Sequence, residues 1–196
     1  MHTGDAERNR LIGAIRRALS RNGEAGDAER LAALAGDLFG HVGCEDLAFY
    51  SPAELAGFVY AADSLLTKRK PGESLVRLSD PQPDGGETPD HEITLVELLN
   101  DDMPFLVDST LQELYALGAT VRLVAHPIVT VWRDRSGNLT GYGGMPDGAA
   151  GKEGRESLIQ IHIARVARPA DRNAIQERLE SLLAEIGHAT EDWPAM

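Results

Sequence analysis

The chain has 196 residues and a mass of 21.1 kDa, enough for one well-packed domain or a small domain with a helical appendage. Its formal net charge of -12 and isoelectric point near 4.9 exclude a nucleic-acid face built on basic side chains, because phosphate neutralisation dominates that affinity. Cys44 is the single cysteine, which excludes internal disulfides and cysteine-cluster metal sites, and no run approaches the ~18 apolar residues of a membrane span. A reducing cytoplasm is the expected compartment, with neither nucleic acid nor membrane as a partner.

Taken in order, residues 5–22 place Leu11, Ile12, Ile15, Ala18 and Leu19 at helical spacing, with Gly23 as a stop. Residues 24–42 repeat the pattern with Leu31, Leu34, Ala35 and Leu38. Ser51, Pro52 and Glu54 have the capping-box spacing with proline at the first helical position, ahead of a stripe of Leu55, Phe58, Val59, Ala62 and Leu66. Residues 1–72 therefore read as a helical bundle, broken by the RKPG run at 69–72. A short strand at 74–79 follows, with Leu75 and Arg77 opposite in parity to Val76 and Leu78, and then a proline- and glycine-rich connector at 81–90.

In the strand predicted at 92–99, Ile93 and Leu95 alternate with Thr94, the period of a half-buried strand. Asn100, Asp101 and Asp102 are expected to end it as a turn, with Asp102 capping the next helix and Pro104 in its first turn. From 105 to 117, Val107, Leu111, Leu114 and Tyr115 share one helical face, Asp108, Gln112 and Glu113 fall mostly on the other, and Gly118 suits a left-handed C-terminal cap. The strand at 119–133 sets Val121, Leu123, Ala125, Val129 and Val131 against a wetter face of Arg122, His126, Thr130 and Trp132. Pro127 requires an edge, a bulge or a break there. A turn at 134–138 leads into a glycine-rich stretch, 140–156, read as a loop. The return strand at 157–166 alternates Ile159, Ile161 and Ile163 with Gln160, His162 and Ala164. A last helix starts near Pro169, carries Ile175, Leu179, Leu182, Leu183 and Ile186, and ends at Gly187. This order describes an α+β sandwich with helices on one face of an antiparallel or mixed sheet. An open edge on the 92–99 strand would invite another chain, so strand 74–79 is predicted to cover it antiparallel, with a second molecule as the alternative.

Nothing in the sequence commits the chain to catalysis. The glycines from Gly141 to Gly154 do not form a phosphate loop, and Ser109, Ser157 and Ser181 lack a nucleophile-elbow frame. Of the histidines His2, His41, His91, His126, His162 and His188, the pair His126 and His162 would face each other on the wetter side of paired strands. That makes a metal or acid–base pair one reading and ordinary surface histidines the other. The most informative stretch is Asn100, Asp101, Asp102, Met103, Pro104, Phe105 and Leu106. It is either a plain helix cap or a ligand loop, in which the helix N-terminus takes a carboxylate and one acidic side chain the ammonium of a zwitterion.

On NDDMPFLVDS at 100–109, LVAHPI at 123–128 followed by Arg133 and Asp134, Glu156 with Ser157, RKPG at 69–72 and EDWPAM at 191–196, the chain resembles the N-terminal region of the very large bacterial NAD-specific glutamate dehydrogenases. The resemblance implies an ACT-type (ferredoxin-like) βαββα regulatory module at 91–190, preceded by the helical region 1–72 and a strand and linker at 73–90. Residues 191–196 would begin the next segment. It implies a non-catalytic role with Asn100, Asp101, Asp102, Met103, Phe105 and Leu106 around an amino-acid effector, or a purely structural docking role. No cofactor is expected on this chain, and NAD on the longer protein that oxidises glutamate to 2-oxoglutarate. The remainder of that protein, and a second copy met through the sheet edge or helices, are the expected partners. An ACT unit ends on a fourth strand, which 188–196 does not supply, so the chain reads as a fragment cut at a domain boundary.

Overall fold

The computed structural model describes residues 3–19, 25–80, 92–144 and 151–191. His2, Gly23, the 81–90 connector, His91, Gly148 and residues 192–196 lie outside them. Two compact units are present: one holds the helices up to Thr67, and the other joins Lys68–Asp80 to the chain from Ile93 onward. In the first, helices α1 (Thr3–Leu19), α2 (Ala25–Phe39) and α4 (Pro52–Leu66) pack on one another, with the single turn α3 (Cys44–Leu47) between α2 and α4. The α4 cap is the one its sequence dictates: Glu54 N–H donates to Ser51 Oγ at 3.2 Å and Ser51 N–H to Glu54 Oε2 at 2.8 Å. Leu55, Phe58, Val59, Ala62 and Leu66 are all buried, as their spacing requires.

The second unit contains β1 (Leu75–Ser79), β2 (Ile93–Asp101), α5 (Leu106–Ala116), β3 (Val121–Ala125), β4 (Ile128–Arg133), β5 (Leu139–Tyr142), β6 (Lys152–Ala164) and α6 (Pro169–Glu191). Its sheet runs β1-β2-β6-β4-β5, every pairing antiparallel, with β3 also on β6. β3 and β4 are successive halves of the expected 119–133 strand, broken at Pro127 where the ring denies the ladder a donor. β1 lies antiparallel on β2 from Leu75 opposite Leu99 to Ser79 opposite Leu95, so the N-terminal strand fills the edge as predicted.

The core on the helix side joins Val96, Leu98, Ile159, Ile161 and Ile163 of the sheet to Leu106 and Leu114 of α5 and to all five predicted stripe positions of α6. At the end of α5, Gly118 at φ 78 donates to Tyr115 O at 3.0 Å and Ala119 N–H to Leu114 O at 2.9 Å, a Schellman closure that needs a left-handed residue.

Several expectations are corrected here. β2 continues through Asn100 and Asp101, which pair with Ser157 and Glu156, so the ladder on β6 overrides their turn preference. All residues from Ile93 to Asn100 are buried, so β2 is not half-exposed. The α5 face is rotated: Leu106, Thr110 and Leu114 are buried, Leu111 is partly so, and Tyr115 is exposed. Thr110 is accommodated because its hydroxyl donates to Leu106 O at 2.6 Å. A register shift between Val121 and Leu123 sets Val121 opposite Ile163 and Leu123 opposite His162, which separates two residues expected on one face. The glycine-rich stretch 140–156 contains most of β5 and the start of β6, because a ladder requires only backbone groups. α6 runs past Gly187 to Glu191, since one mid-helix glycine costs only about 1 kcal/mol. Gln160 and His162 are buried rather than wet: Gln160 Nε2 donates to Glu97 at 3.2 Å, and Arg77 holds the other Glu97 oxygen at 2.9 and 2.7 Å.

Candidate functional site

The turn from β2 to α5 is built by Asp102, Met103, Pro104 and Phe105. Phe105 occupies the N-cap position at φ 69, and no side chain caps the helix. This corrects the expected Asp102 cap. Pro104 and the left-handed Phe105 delay the helix start, and the Asp102 carboxylate instead pairs with Arg155 at 3.2 Å while its N–H donates to Arg155 O at 3.1 Å. In front of the uncapped N-terminus lies an open hollow of about 480 Å³, lined by Asp102 to Asp108 with His126 and Ile128. Burial holds the His126 pKa below the usual histidine range against the opposing pull of Asp102, and its Nε2 lies 2.6 Å from Ser157 Oγ.

Four of the six expected ligand residues, Asp102, Met103, Phe105 and Leu106, line this hollow; Asn100 and Asp101 do not. Alternation along β2 sends those two side chains to opposite faces. Asn100 is buried opposite Ser157, its Oδ1 accepting from Asp101 N–H at 2.8 Å. Asp101 turns to Arg69 and to Gly72 N–H, which donates to it at 3.1 Å. The expected pairing of His126 with His162 does not form. His126 follows the end of β3, whereas His162 sits between Leu95 and Leu123, fully buried and pushed down to about 3. Among the described residues no group of three His, Cys, Asp or Glu could hold a metal. Val107, Asp108, His126 and Ile128 also line the hollow, beyond the residues expected there. The usable signal was the His126–Pro127 pair, since a proline break in one strand frees the flanking side chains to line a cavity.

Sequence reasoning also missed a buried ionic cluster on the other face of the sheet. Arg133 grips Glu156 with two parallel bonds, Nε to Oε1 at 2.6 Å and the terminal nitrogen to Oε2 at 2.7 Å. Arg69, 1% exposed, reaches Glu156 at 3.1 Å and also pairs with Asp101. Its backbone N–H donates to Gly137 O at 2.9 Å, a contact so close that a Cβ at Gly137 would lie 2.6 Å from Arg69 O. No spacing rule links positions 69, 101, 133 and 156; only the ladder brings them together.

A family model described as glutamate dehydrogenase, ACT1 domain, matches residues 34–179. The chain belongs to that family. It is similar to the NAD-specific glutamate dehydrogenase of Halomonas elongata, 32% identical over 166 residues, and to that of Pseudomonas aeruginosa, 28% identical over 164. Those matches cover 82% and 83% of the chain but 10% of each relative, so the chain spans about a tenth of their length. No solved structure matches. Among the described residues, β1 lies on β2 at the position where an ACT unit's fourth strand is expected. The head of α5 in this ACT1 domain does not have the form of a dinucleotide loop. The β2–α5 turn has no glycine to admit a pyrophosphate to the backbone, its carboxylates would repel one, and the sheet is antiparallel rather than doubly wound.

Proposed function

We propose that the chain is a non-catalytic regulatory and assembly domain of an NAD-specific glutamate dehydrogenase, the enzyme that oxidises glutamate to 2-oxoglutarate, and that it takes an amino-acid effector in the hollow at the head of α5. One observation carries the ligand: an uncapped helix N-terminus faces the same hollow as Asp102 and Asp108. The helix N–H groups suit the effector's carboxylate and the acidic pair its ammonium, while Met103, Phe105 and Ile128 offer apolar surface to its side chain. Family membership and the tenth of the relatives' length that the chain spans support a part of such an enzyme rather than the enzyme itself.

Calorimetry of the chain against a panel of amino acids tests this. Saturable binding weakened by Asp102→Asn is expected. Silence across the panel at millimolar concentration would favour the docking role without a ligand, which the exposed Phe105, Tyr115, Leu117 and Ile128 also suit. Purified chain should form no NADH from glutamate and NAD.

A further inference from the structure

A hollow of about 980 Å³ lies against the buried ionic cluster and apart from the α5 site. Its lining comes from Arg69 and Pro71, the end of β2, β4 with the following turn, and the start of β6. In a chain of net charge -12 it gathers four cations, Arg69, Arg133, Arg135 and Lys152. The four acidic residues in the lining do not cancel them. Glu156 is held by Arg133 and Arg69, and Asp101 by Arg69 and Gly72. Asp134 is turned into its own loop, accepting from Ser136 N–H at 2.8 Å, Asn138 N–H at 2.9 Å and Asn138 Nδ2 at 2.8 Å. Glu153 is one residue out of phase with Lys152, Gly154 and Glu156, which places its side chain on the opposite face of β6.

Three cationic donors are left over. Arg135 and Lys152 are exposed and have no ion-pair partner among the described residues. Arg69 lines the hollow, and its Nε is buried with no hydrogen-bond acceptor among the described residues, although the rest of that guanidinium is fully engaged. A buried donor of this kind calls for an acceptor. Pro71, which is exposed, offers apolar surface beside these donors.

We propose that this hollow binds a small organic anion carrying at least two acidic groups, one received by Arg69 and the other by Arg135 and Lys152. Carboxylates and phosphates share this chemistry, so citrate and inorganic pyrophosphate serve as separate probes. Titration of the 196-residue chain, followed by calorimetry and by the Arg69 Nε–H resonance, should give saturable binding of at least one probe with Kd of about 1 mM or tighter. That binding should shift the Arg69 resonance and weaken with salt. Arg135→Ala and Lys152→Ala, both at exposed positions, should each lower the affinity about tenfold. Asp102→Asn, in the α5 hollow, should leave it unchanged. Absence of binding by both probes at about 10 mM, or binding that the Arg135 and Lys152 variants do not weaken, would overturn the proposal.

Discussion

Phe105 is the one non-glycine residue at positive φ among the described residues, and a bulky side chain there costs about 1–2 kcal/mol. It is 60% exposed, so little packing offsets that strain, and such strain persists where it shapes a site. Phe105→Gly should therefore hold or raise the melting temperature, by about 1 kcal/mol of stability, while weakening amino-acid binding in the α5 hollow. A lowered melting temperature would show that the Phe105 ring contributes packing after all. The corrected place of Asp102 changes its own expectation. Its partner Arg155 is 65% exposed, and such pairs contribute about 0.2–1 kcal/mol, so Asp102→Ala should barely move a thermal melt. A loss near 2 kcal/mol would restore the helix-cap role that its sequence position suggested. That suggestion failed for a local reason: the αL conformation of Phe105 has no signature in residue type, and it decides where the helix begins.

Elements were legible where one face meets one core. The α6 stripe, the α4 capping box and the break at Pro127 all follow from side-chain period and proline chemistry. α5 was displaced by one position because Thr110 is buried through a bond to its own helix, which hydrophobic spacing cannot register. The two leucines of α5 separate these readings. Leu114 is fully buried, so Leu114→Ala should cost about 2–5 kcal/mol, and Leu111→Ala, only partly buried, clearly less. Equal losses in urea melts would mean that α5 packs as its hydrophobic pattern alone implied. The ionic cluster is the opposite case, invisible until the ladder forms. Glu156→Gln would leave two buried guanidiniums without their shared carboxylate and should destabilise by about 3–5 kcal/mol, whereas a loss below about 1 kcal/mol would mean that water or Asp101 takes over its role.

For the molecule as a whole, the polar residues of β6 carry the last expectation. Gln160 and His162 read as a wet face because residue type predicts exposure, yet the sheet buries both. Burial pushes the His162 pKa from its ordinary 6.5 to about 3. A depressed pKa gives stability that is present above pH 6.5 and lost on acidification, because the unfolded chain takes up a proton that the folded state refuses. The slope approaches about 1.4 kcal/mol per pH unit between those two values. His126, lowered mainly by burial, acts with the same sign. Glu97 acts with the opposite sign: burial raises its pKa despite Arg77, so the folded state takes its proton first and gains stability as pH falls toward its ordinary 4.5. Between pH 6.5 and 5 the His162 contribution should lower the melting temperature at pH 5 relative to pH 7, a difference that Glu97 opposes. His162→Gln should remove most of that difference, and if the variant does not fold, an NMR titration of the His162 ring in the native chain reads the pKa directly. A ring that titrates near 6.5, or a pH dependence that His162→Gln leaves unchanged, would place His162 in contact with water and return β6 to the half-exposed strand that its alternation described.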